Sequence, residues 1–167
     1  QEKYNELDSL LSNKPDDVQL QKKRKLASAC LTNSRYYVEA RNLSKLITEL
    51  SLKHEGKEFV VVTGGGPGIM EAANRGAADM GGKSIGLNIV LPFEQTPNPY
   101  ITDELFFQFH YFAIRKMHFL KRARALIACP GGFGTLDELL DALTLIQTGK
   151  IEAVPIILLG RHYWENF

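Results

Sequence analysis

Phe59-Val60-Val61-Val62-Thr63-Gly64-Gly65-Gly66-Pro67-Gly68-Ile69-Met70 passes from a short β-branched run, through a cluster of glycines, into a segment where Ile69, Met70, Ala72, Ala73, Ala77 and Met80 recur at helical spacing. Branched side chains at 59–62 pack on a pleated surface and favour a strand. The glycines allow a tight turn, and Gly81-Gly82 ends the helix that follows. The same succession returns downstream. Ala125-Leu126-Ile127-Ala128-Cys129 is an apolar run, Pro130-Gly131-Gly132-Phe133-Gly134-Thr135 a tight loop, and Leu136, Leu139, Leu140, Leu143 and Ile146 the face of another helix. Two strand–turn–helix passages predict parallel strands joined by helical crossovers.

Working outward, Tyr36, Ala40, Leu43, Ile47 and Leu50 predict an amphipathic helix with Ser34 as its cap. Residues 84–90 read as a strand, 91–100 as a loop rich in Pro and Asn, and the aromatic segment 106–112 as the lead into a helix over 113–124. Residues 154–159 form a last strand. The pattern predicts an α/β fold, a Rossmann-like doubly wound parallel sheet with helices on both faces. Before it, residues 1–33 form a polar N-terminal extension with a turn at 13–17 and the basic run Gln21-Lys22-Lys23-Arg24-Lys25, read as solvated or frayed. The α/β domain is assigned to 34–167.

Twenty basic residues stand against 19 acidic ones, a formal charge of +1. No global field draws the chain to nucleic acid or an anionic membrane, so any anionic ligand is captured locally. No window approaches the roughly 20 apolar residues of a membrane helix. The start Gln1-Glu2-Lys3 is unlike a signal peptide, which predicts a soluble protein. Cys30 and Cys129 are the two cysteines. Cys129 reads as a buried, inert thiol, in keeping with a reducing cytoplasm.

Both glycine clusters follow a buried strand and open a helix, at the carboxyl edge where open α/β sheets bind ligands. Without a Cβ, glycine lets an anion approach backbone N–H groups, and a helix start adds unpaired donors and a positive dipole end. The chemistry suits a phosphate; the plainer alternative is that the glycines only permit tight turns. Better-known motifs do not fit. Gly64, Gly66 and Gly68 are spaced G-x-G-x-G, and Asn88 stands where an acidic ribose ligand is expected, which disfavours a dinucleotide cofactor. Gly82-Lys83-Ser84 follows a helix, with Ala77 at the position of the P-loop's first glycine. There is no G-x-S-x-G elbow, and His54, His110, His118 and His162 lack metal-ligand spacing, so no metal is expected.

Glu138 is placed in the first turn after the second loop, beside any bound sugar phosphate. Thr135-Leu136-Asp137-Glu138 is equally a capping box, in which the glutamate turns back on its own helix. Glu71 has the same two readings in the first unit, and Asp137 can simply complement the helix dipole. Arg115-Lys116 head a helix that later carries Lys121, Arg122 and Arg124. A solvated basic face accounts for most of these, yet cations at a helix N-terminus oppose its dipole, and an arginine fork suits phosphate or a leaving base. Phe109, Tyr111 and Phe112 can stack a base or fill a core.

Pro130-Gly131-Gly132-Phe133-Gly134-Thr135-Leu136-Asp137-Glu138 resembles the P-G-G-x-G-T-x-x-E signature of the Lonely Guy family of phosphoribohydrolases, long labelled lysine decarboxylases. Gly64-Gly65-Gly66-Pro67-Gly68-Ile69-Met70 resembles the family's first glycine motif, and Arg115-Lys116 its R-K pair. The likeness covers roughly residues 36–164, and Gln147-Thr148-Gly149-Lys150 looks like the longer bacterial branch.

The resemblance implies that 34–167 is a nucleotide-binding catalytic domain, incomplete at both ends. It implies hydrolysis of the N-glycosidic bond of a nucleoside 5′-monophosphate, AMP-like or a cytokinin riboside monophosphate, to free base and ribose 5-phosphate. Glu138 and Arg115 become the catalytic pair. Gly131, Gly132, Phe133, Gly134 and Thr135 hold the phosphate, and Gly65, Gly66, Gly68, Met70, Glu71 and Lys116 line the rest of the substrate site. No cofactor is expected. A homodimer or higher homo-oligomer is, helped by the aromatic segment near Phe106. The family's opening strand and its Gly-Ser loop are not legible before Tyr36. A non-catalytic nucleotide carrier is the alternative; a pyridoxal enzyme needs a Schiff-base lysine, and Lys116 lacks that context.

Overall fold

The computed structural model of the chain describes residues 5–6, 9–10, 17–91 and 96–165, with the side chains of 25–27 and 29–33 outside that description. Most of the turn expected at 13–17 and part of the loop expected at 91–100 lie outside the described residues. The chain divides into two units, Gln1–Arg35 and Tyr36–Phe167. In the first, Asp17 caps helix α1, Val18–Lys53, its Oδ1 accepting from the N–H groups of Gln19 at 2.9 Å and Leu20 at 3.0 Å. The helix therefore starts ahead of Ser34, which lies inside it rather than at its cap, because a carboxylate satisfies orphan donors at the earlier site.

In the second unit the order is β1 (Val61–Thr63), α2 (Ile69–Asp79), β2 (Ser84–Ile89), a 3-10 turn (Asp103–Leu105), β3 (Phe106–Phe109), α3 (Phe112–Leu120), β4 (Leu126–Ala128), α4 (Phe133–Gln147), β5 (Ile156–Leu158) and the short α5 (Arg161–Trp164). β1, β2 and β3 form one parallel sheet, with Val61 opposite Ser84 and Gly86 opposite Phe106. β4 and β5 form a second, with Leu126 opposite Ile156. Every pairing among the described strands is parallel, as expected for a Rossmann-like α/β chain, although they group as three and two rather than as one sheet.

β2 is buried along nearly its whole length. Its alternate residues point to opposite faces, and α2 and α3 are the helices packed against it. On one face Ser84 meets Asn74 of α2; the other presents Leu87 and Ile89, both buried. Strand β3 is a structure the sequence reading did not separate from the helix after it. Phe106-Phe107-Gln108-Phe109 has the aromatic bias of a strand, but only pairing with β2 distinguishes that from helix lead-in.

The buried stripe of α1 within the second unit is Tyr36, Ala40, Ser44, Thr48 and Ser51, shifted from the expected apolar face, with Leu50 on the exposed side. Close approach to α2 decides this. A Cβ on Gly76 would run into the carbonyl of Arg41 and lie 2.7 Å from the Ser44 Cβ, and one on Gly82 would strike Thr48. Small residues are buried where two backbones nearly touch. Ser44 Oγ donates to the Ala73 carbonyl at 2.5 Å, and Arg41 grips Asp79 through Nε and Nη2 at 2.6 and 2.9 Å. Among the described residues, no helix is long and apolar enough to cross a membrane.

Candidate active site

Helix α4 begins at Phe133, with Gly132 at its cap, inside the stretch expected to be loop. The N–H groups of Thr135 and Leu136 reach back to the Gly132 carbonyl at 3.0 and 3.3 Å. Those of Phe133 and Gly134 belong to the first turn, where an α-helix has no carbonyl to offer. Within the stretch 131–135 expected to hold a phosphate, the Thr135 amide is already engaged. A Cβ on Gly131 would collide with the Thr135 Oγ1 unless that side chain moved. The Gly131 carbonyl accepts from Tyr163 Oη at 2.5 Å, a C-terminal anchor for the loop that no local pattern signals.

This start moves Glu138 into the second turn and removes the capping box, because Thr135 is not a cap residue. Glu138 instead turns to α3, where its Oε1 accepts from Arg115 Nη2 at 3.1 Å. Both side chains are largely buried, at 18% and 12% exposure. Burial raises the Glu138 carboxyl above its ordinary value, with Arg115 and then Lys116 pulling the other way. The Arg115 guanidinium lies over the rings of Phe112 at 5.2 Å and Phe119 at 5.7 Å, one turn to either side on its own helix. Two buried polar atoms of the pair, Arg115 Nε and Glu138 Oε2, have no hydrogen-bond partner among the described residues. Beside them Lys116 Nζ meets Asp137 Oδ1 at 2.6 Å, and that bond raises the lysine's pKa.

The first glycine turn lies at the carboxyl end of β1. Gly65 and Gly68 have φ of 73° and 75°, the left-handed region that suits glycine. A Cβ on Gly64 would lie 2.9 Å from Met70 Sδ, so Met70 packs back on the turn while remaining partly exposed. Glu71 Oε1 accepts from Tyr37 Oη of α1 at 2.9 Å. Among the described residues, no hydrogen bond or ion pair joins Gly65, Gly66, Gly68, Met70 or Glu71 to Glu138 or to the second glycine turn. The structure therefore joins Arg115 to Glu138 and Lys116 to Asp137. The described residues hold no group of three His, Cys, Asp or Glu suited to a metal ion. Cys129 is a free thiol whose pKa burial pushes up to about 11, which keeps it protonated and unreactive.

Residues 70–167, more than half of the chain, match the family described as possible lysine decarboxylase. Curated relatives carry a different name. The cytokinin riboside 5'-monophosphate phosphoribohydrolase LOG of Oryza sativa subsp. japonica is 36% identical over 113 residues, 63% of this chain and 45% of that protein. LOG3 of Arabidopsis thaliana, of the same name, is 33% identical over 109 residues, 64% of this chain and 49% of the relative. The probable phosphoribohydrolase LOGL5 of Oryza sativa subsp. japonica is 32% identical over 127 residues, 75% of this chain and 48% of the relative. The chain spans about half the length of the curated relatives it matches. The match from Met70 to the end takes in the R-K pair and the whole second glycine signature, and the chain belongs to this family, the Lonely Guy family.

Proposed function

We propose that this chain hydrolyses the N-glycosidic bond of a nucleoside 5′-monophosphate, AMP-like or a cytokinin riboside monophosphate, to free base and ribose 5-phosphate. One observation carries the reading. Glu138 lies on the helix that starts at Phe133 and forms a buried pair with Arg115 of α3, each partner keeping a buried polar atom with no hydrogen-bond partner among the described residues. The names of the curated relatives support the same substrate class.

In this reading the 5′-phosphate sits on the Phe133 and Gly134 amides, where the helix dipole adds to the attraction. That anchor positions the ribose and its glycosidic carbon near Glu138. As the bond to the base breaks, positive charge develops on the sugar; the carboxylate stabilises it and its Oε2 orients the attacking water. Arg115 holds the carboxylate by one nitrogen and presents Nε to phosphate or to the departing base. The first glycine turn, with Met70, forms the opposite wall. Glu71 and Lys116 act at one remove, since Tyr37 and Asp137 already hold them.

The decarboxylase label suits the site poorly. Schiff-base chemistry needs a neutral amine, whereas Asp137 holds Lys116 charged. Pairing of two copies is supported by apolar side chains left open near the site, Tyr111 at 70%, Met117 at 65% and Phe133 at 91% exposure. A cytoplasmic setting suits the free thiol. Incubation with AMP, GMP, CMP and an N6-isopentenyl AMP, followed by chromatography for free base, tests the proposal. Release of base from at least one is expected; binding of AMP with no release would leave a carrier.

A further inference from the structure

Beneath the first glycine turn lies a chain of buried polar side chains that the reaction does not use. Asn74 of α2 is fully buried. Its Oδ1 accepts from Thr63 Oγ1 at 2.7 Å and from Asn98 Nδ2 at 3.0 Å, and its Nδ2 donates to Ser84 Oγ at 2.9 Å. Ser84 Oγ passes its proton to the Tyr100 carbonyl at 3.2 Å. Asn98 spends its second amide proton on the Gly66 carbonyl at 3.1 Å, and its own backbone N–H donates to the Gly65 carbonyl at 2.9 Å. Thr63 Oγ1 accepts from the Gly65 N–H at 2.9 Å.

The polarity of this relay has one solution. Asn98 Nδ2 has two protons and both are committed, so its two neighbours must be acceptors. That fixes the Asn74 amide with its oxygen toward Asn98, and the Thr63 hydroxyl must then donate to Asn74 and accept from Gly65. A flipped Asn74 would set two donors face to face in a dry interior, where an unsatisfied group is costly.

The consequence reaches the loop. The peptide between Gly65 and Gly66 is trans, so with the Gly65 carbonyl drawn toward Asn98, the Gly66 N–H points the opposite way. The next peptide has its carbonyl turned to Asn98 as well and ends on Pro67, which carries no proton. We infer that Asn98, locked by Asn74 and Thr63, is a positioning residue that sets the first glycine turn so that the buried Gly66 amide is turned away from Asn98 and serves as a donor to a nucleotide oxygen. The inference rests on the proposed nucleotide substrate for the identity of the ligand, but not for the setting of the loop.

Two measurements separate those dependencies. Amide hydrogen exchange on the free protein reads the loop: the Gly65 N–H, held by Thr63, is expected to exchange slowly in the wild type and in Thr63→Ser, which keeps the hydroxyl. In Thr63→Val, nearly the same shape without it, and in Asn98→Ala, exchange should quicken at least about tenfold. Calorimetric titration with AMP reads the ligand: Thr63→Val and Asn98→Ala should bind about tenfold more weakly at a temperature where both remain folded, while Thr63→Ser binds as the wild type does. A purely structural role would lower the melting temperature and leave the affinity of the folded protein unchanged; that result overturns the inference. So does unchanged Gly65 exchange in both variants. Failure of the wild type to bind AMP would instead defeat the proposed substrate, and the exchange data would still decide the relay.

Discussion

Replacing Glu138 with Gln tests the site most directly, because it keeps shape and changes one charge. In the proposed reaction the carboxylate faces a sugar carbon that becomes positive as the base departs. Two unit charges about 4 Å apart interact by about 4 kcal/mol at an effective dielectric of about 20. Only part of that charge has developed at the transition state, so about 3–4 kcal/mol, or a 10²- to 10³-fold fall in kcat/KM, is the expected loss. The fold should hardly notice. Glu138 is a buried acid whose pKa is raised, which means that desolvation of the carboxylate outweighs what Arg115, at 3.1 Å, returns to it. Glutamine loses the ion pair and the desolvation together, so the melting temperature should move by a few degrees at most. Steady-state release of adenine from AMP, with calorimetric melting of both proteins, makes the comparison. A Glu138→Gln variant within threefold of wild-type kcat/KM would refute the role assigned to the carboxylate. A collapse in melting temperature with activity lost in proportion would make it structural.

The raised pKa of Glu138 has a signed consequence: the proposed reaction uses the ionised carboxylate, so kcat/KM should fall as pH drops through a value above the ordinary 4.5. A pH–rate profile with its acidic limb at or below 4.5 contradicts this; because the fold favours the protonated acid, this group's contribution to stability is full at low pH and is lost as pH rises through the raised value. Arg115→Lys keeps a charge but cannot both bond Glu138 and lie flat between Phe112 and Phe119, so kcat/KM for AMP should drop about 10- to 100-fold, and near-wild-type kinetics would show that a point charge suffices. Gly76→Ala sets a methyl against the Arg41 backbone and should cost about 1–3 kcal/mol, read as a melting point several degrees lower, with an unchanged melting point arguing against the close α1–α2 approach.

Much of the site's framework was legible locally. Glycines after β-branched runs mark turns at strand ends because sterics alone require them there, and both turns, at 64–68 and 131–135, lie at the carboxyl ends of parallel strands. The spacing of Glu138 from Thr135 was ambiguous for an equally local reason. A capping box and a helix-borne active-site glutamate share one pattern, and the alternatives differ only in where the side chain turns. The cap at Gly132 removes the capping box, and the side chain turns instead to Arg115, 23 residues upstream. Asn74, Asn98 and Tyr163 escaped the sequence reading because a buried amide or a reaching phenol has no periodicity to reveal its partner.

By itself the sequence determined the alternation of strands and helices, the two glycine turns and the presence of an acid and an arginine near one of them, since these follow from backbone sterics and side-chain period within a few residues. Tertiary structure alone decided that residues 106–109 pair as a strand with β2, that α1 buries Ser44 against α2 and Thr48 against Gly82, and that Glu138 bonds Arg115 instead of its own helix end. Each of those depends on which distant surface arrives opposite, and on the cost of leaving polar groups unpaired once water is gone.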